Sequence, residues 1–313
     1  MMVRLVDRSR CPLCGNNSVA ECKVEYSFIP IPVVRCPDCG MLFSSKLLEC
    51  GIDYYTSHFA SDRHRKGQMI NAKTNLQLFG AEIDYVRSLR KRPCSLDIGS
   101  GYGFFIDSLH ELGFLAEGVE VSEQEARFAQ RHSKATTHVG TLETVSLEQK
   151  HYDLITCCEV LEHIVEPIPL LESLRELLAT DGLLVIVTDN FRADCICVLG
   201  PEFPKWIPHS HVTHFDPSSL RKTLLPARLE LLRMFSFTPW SLSLRSLVKR
   251  VFHQQRKAAE HAFSLSDILA SEMSQPYRFF YLRRFLDPIW AQIMVRNEGR
   301  GAIMGVVARK SRV

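Results

Sequence analysis

The chain has 313 residues, of which 46% are hydrophobic and 23% charged, with a formal net charge of +3 at pH 7. This is the balance of an ordinary globular protein, and the charge is too small to point to nucleic acid by itself. The apolar runs, such as Leu183 to Val187, are far too short to span a bilayer. The opening residues are charged and lead straight into cysteines, unlike a signal peptide, so a cytoplasmic location is expected. Eleven cysteines in that setting suggest thiols and metal ligands, not disulfides.

Cys11-Pro12-Leu13-Cys14-Gly15 and Cys36-Pro37-Asp38-Cys39-Gly40 repeat one element. Each pair of cysteines presents two thiolates on one side of a knuckle, and the glycine permits the backbone twist; two knuckles supply tetrahedral zinc. Lys23 to Val34 has β-prone content for the hairpin between them. Residues 1–50 therefore read as a zinc ribbon with a closed, structural metal site. A redox Cys-x-x-Cys is the rival, and duplication argues against it. Cys22, Cys50, Cys94, Cys157, Cys158, Cys195 and Cys197 read as small buried hydrophobes. Residues 51–66 are polar and aromatic and read as a linker, in which Tyr54 and Tyr55 either line a substrate entrance or pack between domains. From there Ala72, Leu76, Phe79, Ile83, Val86 and Leu89 repeat at three and four, predicting a helix.

The most telling stretch is Leu96-Asp97-Ile98-Gly99-Ser100-Gly101-Tyr102-Gly103. Cys94 to Ile98 reads as a buried strand, the glycines as a tight turn that a ligand approaches closely, and residues 104–112 as a helix stopped by Gly113. A second strand, Leu115 to Val121, carries Glu120, placed to accept hydrogen bonds from ribose hydroxyls. The third glycine comes one place too early for a dinucleotide fingerprint, and Asp97 would repel a pyrophosphate.

Ser122-Glu123-Gln124-Glu125 has capping-box spacing and opens a helix to about Arg131. Thr137 to Leu142 reads as a third strand and Tyr152 to Cys158 as a fourth. Pro167 starts a helix with Leu170, Leu171, Leu174, Leu177 and Leu178 on one side; Asp181-Gly182 ends it, and Leu183 to Thr188 is a fifth strand. The alternation predicts an α/β, doubly wound parallel sheet whose ligand lies beyond the carboxyl ends of the strands.

Asp97-x-Gly-x-Gly-x-Gly with Glu120 after it resembles motif I of the class I S-adenosylmethionine-dependent methyltransferases. YDLITCCEVLEHIVEP, DGLLVIVTDN, HVTHFDPSSL and the closing Gly299-Arg300-Gly301 with AIMGVVARK resemble that family's fourth strand, fifth strand, last helix and final antiparallel strand. The ribbon ahead of such a domain resembles methyltransferases of bacterial polysaccharide and natural-product pathways. The resemblance implies a Rossmann-like seven-stranded methyltransferase sheet over 67–313, with 241–298 a helical insertion or lid. It implies that Asp97, Gly99, Ser100, Gly101 and Gly103 hold the cofactor's methionine part. It places Glu120 on the ribose, Thr141 and Leu142 against adenine, and Cys158 and Glu159 beside the sulfonium. Where the family often has an Asp at the adenine amino group, this chain reads Gly140-Thr141-Leu142-Glu143, so adenine contact falls to backbone or Glu143.

The sulfonium already activates the methyl, so the protein has to align the acceptor, exclude water and remove a proton from a hydroxyl. Imidazole suits the last task. His163 and His211, with Glu162, are the candidate catalytic residues; His209 and His214 fall near the same mouth, while His132, His138 and His253 read as surface or packing residues. Glu159, Glu162 and His163 also share a spacing with small-RNA and ubiquinone-pathway O-methyltransferases in which such residues hold a divalent ion; that resemblance implies, as an alternative, a Mg²⁺ site completed by a histidine from 209–214. Leu244, Leu247, Val248, Val251 and Phe252 beside Arg245, Lys249 and Arg250, and the aromatic, arginine-rich 277–290, read as a lid or core, or as a peripheral membrane contact. The expectation is methyl transfer to a hydroxyl or carbon of a small molecule, a sugar or related metabolite. The alternatives are a metal-assisted enzyme acting on RNA or a lipid-linked acceptor, and a non-catalytic protein that binds S-adenosylmethionine.

Overall fold

The computed structural model describes residues 4–26, 31–49, 62–200, 203–251, 280–297 and 299–311. Tyr54, Tyr55, Cys50, Phe252 and His253 lie outside them.

Five short strands open the chain: β1 (Leu5–Asp7), β2 (Lys23–Tyr26), β3 (Val33–Arg35), β4 (Leu42–Ser44) and β5 (Lys46–Leu48). β1 pairs with β5, and β2, β3 and β4 form an antiparallel meander, so the expected hairpin is present. Then come α1 (Asp62–Leu78), α2 (Gly80–Leu89), β6 (Cys94–Ile98), α3 (Phe104–Glu111), β7 (Leu115–Glu120), α4 (Glu123–His132) and β8 (Thr136–Val139). The second half runs β9 (Tyr152–Cys158), α5 (Pro167–Leu177), β10 (Leu178–Asp189), α6 (Asp194–Leu199), β11 (Thr213–His214) and α7 (Pro217–Leu224). It closes with β12 (Leu229–Phe237), α8 (Trp240–Val251), α9 (Phe280–Met294) and β13 (Ile303–Lys310).

The central sheet has seven strands in the order β12-β13-β10-β9-β6-β7-β8. β10, β9, β6, β7 and β8 are mutually parallel, and β13 is antiparallel to both its neighbours. This is the doubly wound sheet expected. The chain leaves β6 for β7 on one side and returns to β9 on the other, so the crevice at their carboxyl ends is the switch point where ligands bind in such sheets. Strand side chains alternate between two buried faces. Leu96, Ile98, Ile155, Cys157, Leu184 and Ile186 belong to one cluster, and Leu154, Leu183, Val185 and Val187 to the other. Each such side chain, fully buried, contributes about 2 kcal/mol through lost apolar hydration.

The ribbon belongs to the first of these cores. Cys11, Val34, Cys36, Met41 and Phe43 pack in the same cluster as Leu171, Leu174 and Leu220. β11 adds to the edge of the ribbon meander, pairing Thr213 with Phe43 and His214 with Leu42. The buried Arg8 guanidinium donates to the carbonyls of Val212 and Val165 and lies over the Phe43 ring. This ties the ribbon to segments on both sides of the sheet's mouth.

Local expectations shift in five places. The helix ahead of β6 is two helices, broken at Phe79, whose ring is buried against Phe105 and Phe235. Residues 62–66 are the first turns of α1, so helix replaces the end of the expected linker. The third strand stops at Val139 because Gly140 turns with φ +140°, leaving Thr141 and Leu142 in a loop. The helix from Pro167 ends at Leu177; Leu178 already pairs with Tyr152, and Asp181-Gly182 sits at an irregularity of β10. Cys197 is exposed, not buried, while Cys157 and Cys195 are buried as expected. Further on, Leu244, Leu247, Val248 and Val251 lie on the exposed side of α8.

Candidate active site

The glycine turn after β6 follows from its backbone. Gly99, Gly101 and Gly103 all have left-handed φ, at +72°, +53° and +78°. The first two are also close approaches. A Cβ on Gly99 would meet Val160, and one on Gly101 would meet the Gln68 carboxamide. Gly99 and Ser100 donate to the carbonyl of Val119, which fastens the turn to β7. Asp97 is buried at the end of β6 and accepts a 2.6 Å hydrogen bond from the Thr156 hydroxyl. Burial pushes its carboxyl up to about 7 against that hydroxyl's pull.

Glu120 is also buried, and both its oxygens are engaged: Oε2 accepts from the Gly101 amide at 2.8 Å and Oε1 from the Ser122 amide at 2.7 Å. Each carboxylate oxygen has a second lone pair for a ribose hydroxyl. The Gly140 amide donates to the carbonyl of Glu120, so the loop with Thr141 and Leu142 starts beside it. Two residues of this corner, Gln68 and His64, had no individual reading in the sequence. Gln68 on α1 accepts from the Tyr102 amide at 2.8 Å and donates to Glu125 at 3.0 Å; its side chain also touches His64. Burial, and secondarily Glu120, raises Glu125 to about 8, while burial lowers His64 to about 4. α1 thus covers the turn that the resemblance assigns to the cofactor. The signal available was the i, i+4 spacing of His64 and Gln68, which puts both on one helix face.

The second constellation lies at the ends of β9 and β10. Glu159 follows β9 with φ +57°, a left-handed conformation that costs a non-glycine residue energy and is found at sites whose surroundings hold it. Its Oε2 accepts from Lys205 Nζ at 2.6 Å. The same ammonium lies 3.3 Å from Asp189 Oδ1, and Asp189 Oδ2 lies 3.0 Å from His211 Nδ1; both are close electrostatic contacts, and neither has the geometry of a hydrogen bond. His211 meets His163 edge to face, ring centroids 4.7 Å apart, and His163 Nδ1 is 3.0 Å from the Ser210 carbonyl. Glu162 is fully buried. Thr188 donates to its Oε2 at 2.8 Å, and Oε1 has no hydrogen-bond partner among the described residues.

Burial dominates the electrostatics here. It lowers His163 to about 3 and holds His211 well below the usual imidazole range, with His211 and Lys205 respectively adding to the effect, so both rings are neutral at ordinary pH. Burial and the negative neighbours Glu159 and Asp189 raise Glu162 well above the carboxylate range. Burial alone would lower the Lys205 ammonium, but Asp189 and Glu159 more than offset it and hold Lys205 protonated.

The structure therefore brings His163, His211, Glu162 and Glu159 together. His209 and His214 are buried near them, with His214 packed against Phe191 and Trp206. Asp189 and Lys205 join the cluster and were missed. For Asp189 the signal was present, since it is the acid that ends the fifth strand, as Asp97 and Glu120 end theirs. As a metal site, Glu162, His163 and His211 place one ligand atom each within 4.8 Å of one another, and so do Glu159, Glu162 and Asp189. The donors suit a divalent cation, but Lys205 Nζ already sits on two of these carboxylates.

The four knuckle cysteines converge too. Their sulfurs all lie within 4.8 Å of one another, with Cys11 to Cys39 at 3.5 Å and Cys14 to Cys36 at 3.6 Å. Four thiolates about 2.3 Å from a shared zinc stand about 3.8 Å apart, so the set fits the ion. The two knuckles are built alike: the Gly15 amide donates to the Cys11 carbonyl and the Gly40 amide to that of Cys36, each at 3.0 Å.

The strand order, the glycine turn and the acids at the strand ends define the class I methyltransferase fold. Residues 61–233, more than half the chain, match the family described as "Methyltransferase domain", and the chain belongs to it. It is similar to two proteins named "Ubiquinone biosynthesis O-methyltransferase". With the one from Glaesserella parasuis it is 30% identical over 167 residues, 48% of this chain and 65% of the relative. With the one from Histophilus somni it is 29% identical over 141 residues, 40% of this chain and 59% of the relative. The match thus spans less than two thirds of either relative's length. A solved Thermotoga maritima structure, a SAM-dependent methyltransferase described as a possible histamine N-methyltransferase, aligns with 76% of this chain and 91% of its own at 18% identity and a TM-score of 0.45.

Proposed function

We propose that this protein transfers the methyl group of S-adenosylmethionine to a hydroxyl of a small molecule, with His211 as the base. The observation that carries this is the 3.0 Å approach of Asp189 Oδ2 to His211 Nδ1 at the mouth of the sheet. A turn of the ring that aims Nδ1–H at the carboxylate would leave Nε2 its lone pair for the acceptor's proton, and Asp189 would then favour the imidazolium that results. Asp97 and the glycine turn hold the cofactor's methionine part, Glu120 its ribose, and the loop from Gly140 the adenine. The cofactor supplies an electrophilic methyl. The protein's own work is alignment, exclusion of water and removal of one proton. The names of the two relatives support an oxygen acceptor; a sugar acceptor rests only on the resemblance of the ribbon to polysaccharide and natural-product enzymes. The ribbon's four cysteines hold structural zinc.

A second reading, with a divalent ion on Glu162, His163 and His211 lowering the acceptor's pKa, is favoured by the clustering of those three side chains.

The test is incubation of the full chain with methyl-labelled S-adenosylmethionine and small-molecule, lipid, RNA and protein fractions of an extract. Label in the small-molecule fraction, lost in His211→Ala, is the expected result. Label only in RNA or lipid moves the acceptor to that class, and cofactor binding with no label in any fraction favours a non-catalytic protein.

A further inference from the structure

Three carboxylates, Glu159, Glu162 and Asp189, come within 4.8 Å of one another at the mouth of the sheet. Glu162 and Asp189 are fully buried and Glu159 is half-buried; three ionised carboxylates so close would repel strongly, and such a group requires a counter-cation, protons or both. Among the described residues Glu162 has no cation of its own: one oxygen takes the Thr188 hydroxyl and the other is unpartnered in a fully buried position. Glu159 and Asp189 share one cation, the ammonium of Lys205, at 2.6 and 3.3 Å. Lys205 comes from the irregular segment between α6 and β11, the segment that also carries His211. Its ammonium links the strained residue after β9 to the acid that faces the imidazole.

We propose that Lys205 is the resident cation of this cluster: a positioning residue whose ammonium takes the place a divalent ion would otherwise occupy and holds Asp189 toward His211. The proposal rests on the reading of His211 as base only for its catalytic consequence; the occupancy of the cluster stands apart from it. A lysine ammonium is a compact point charge with three donors, able to bridge two carboxylates, but it offers no open coordination position to a substrate oxygen. The electrostatic load of a metal is met here by the chain itself.

Removing the ammonium while leaving the carboxylates should turn the cluster into a divalent site. The experiment is a titration of the zinc-loaded full chain with Mn²⁺, followed by electron paramagnetic resonance of bound and free ion, with no acceptor and no turnover. Wild type and Lys205→Arg should bind no Mn²⁺ at the cluster. Lys205→Met should gain about one bound Mn²⁺, held about tenfold or more tighter than any residual Mn²⁺ on wild type, and adding Glu162→Gln should abolish that binding. Near-UV circular dichroism confirms the fold of each variant, and Lys205→Gln replaces Lys205→Met if the latter does not fold. Wild-type binding of Mn²⁺ that is lost in Glu162→Gln overturns the proposal, and so does a folded, charge-deleted variant that binds none. Because the readout is the bound ion, failure of the methyl-transfer reading would show separately, as absent label with Mn²⁺ behaviour unchanged.

Discussion

Asp189 Oδ2 and His211 Nδ1 stand 3.0 Å apart, one at the last residue of β10 and the other in the irregular segment ahead of β11. Both are almost wholly removed from solvent. The pair joins the sheet, which positions the cofactor turn, to a segment that the ribbon holds by its edge. If the carboxylate orients the ring and favours its protonated form, Asp189→Asn should lower kcat by about 10²-fold or more, and His211→Ala by a similar or larger factor. The dissociation constant of S-adenosylhomocysteine, measured by calorimetry, should stay near the wild-type value in both. Loss of cofactor affinity parallel to loss of kcat would assign the pair to cofactor binding.

Glu120 and Asp97 should act on the cofactor instead. Glu120→Ala should weaken S-adenosylhomocysteine binding by about tenfold or more, since it removes two acceptors from ribose hydroxyls and unties the Gly101 amide. For Asp97 the sign follows from its direction of shift. Its carboxyl is raised by burial to about 7, so it is ionised above that pH and neutral below it. An anion is what attracts the cofactor's ammonium, so affinity should fall as pH drops through about 7, and Asp97→Asn should flatten that dependence. An unchanged pH profile in the variant would release Asp97 from this role.

The order of strands was legible because its punctuation is chemical. Glycines that need left-handed φ mark the turn after β6, proline opens α5, and Ser122 caps α4 by accepting from the Glu125 amide. Boundaries set by tertiary packing were not legible. Phe79 fits a helical stripe by spacing, yet its backbone leaves helical geometry (φ −108°, ψ 10°) where its ring packs in the core against Phe105 and Phe235. Leu178 fits the apolar stripe of α5 and also the strand edge, and pairing with Tyr152 decides it. In the site, residues ending strands could be placed from sequence because sheet topology fixes where strand ends lie. Lys205 could not, since residues 203–212 have no periodicity from which to infer where a side chain goes. Gln68 was hidden for another reason: nothing local says that α1 packs over the glycine turn.

Glu125 gives a stability test of that packing. Its carboxyl is raised from 4.5 to about 8, by burial first and by the charge on Glu120 second. A raised carboxyl stabilises the fold in its neutral form, so this contribution is fully present below about 4.5 and is lost as pH rises through about 8. Glu125→Gln keeps a neutral, hydrogen-bonding side chain next to Gln68 at every pH. Urea unfolding should find the variant more stable than wild type by about 1–2 kcal/mol near pH 9 and equal to it near pH 5. A gain of the same size at both pH values would mean that packing, not charge, is responsible.

The ribbon's role can be separated from the cofactor's. Its edge strand β4 pairs with β11, the Ser44 amide donates to the Val212 carbonyl at 3.0 Å, and the Ser44 hydroxyl donates to the Pro208 carbonyl at 2.7 Å. These bonds bracket His211. The cysteine cluster meanwhile packs beneath the sheet with Leu171 and Leu220, and the glycine turn draws its own contacts from α1 and β7. The purified chain should therefore carry about one zinc ion by elemental analysis, and Cys36→Ser should lose it and lower Tm by about 5 °C or more. Below the lowered Tm, kcat should fall further than cofactor affinity, because the histidine segment loses its anchor while the turn keeps its own. Equal loss of both would mean that zinc supports the whole sheet, and an unchanged kcat would separate the ribbon from the chemistry altogether.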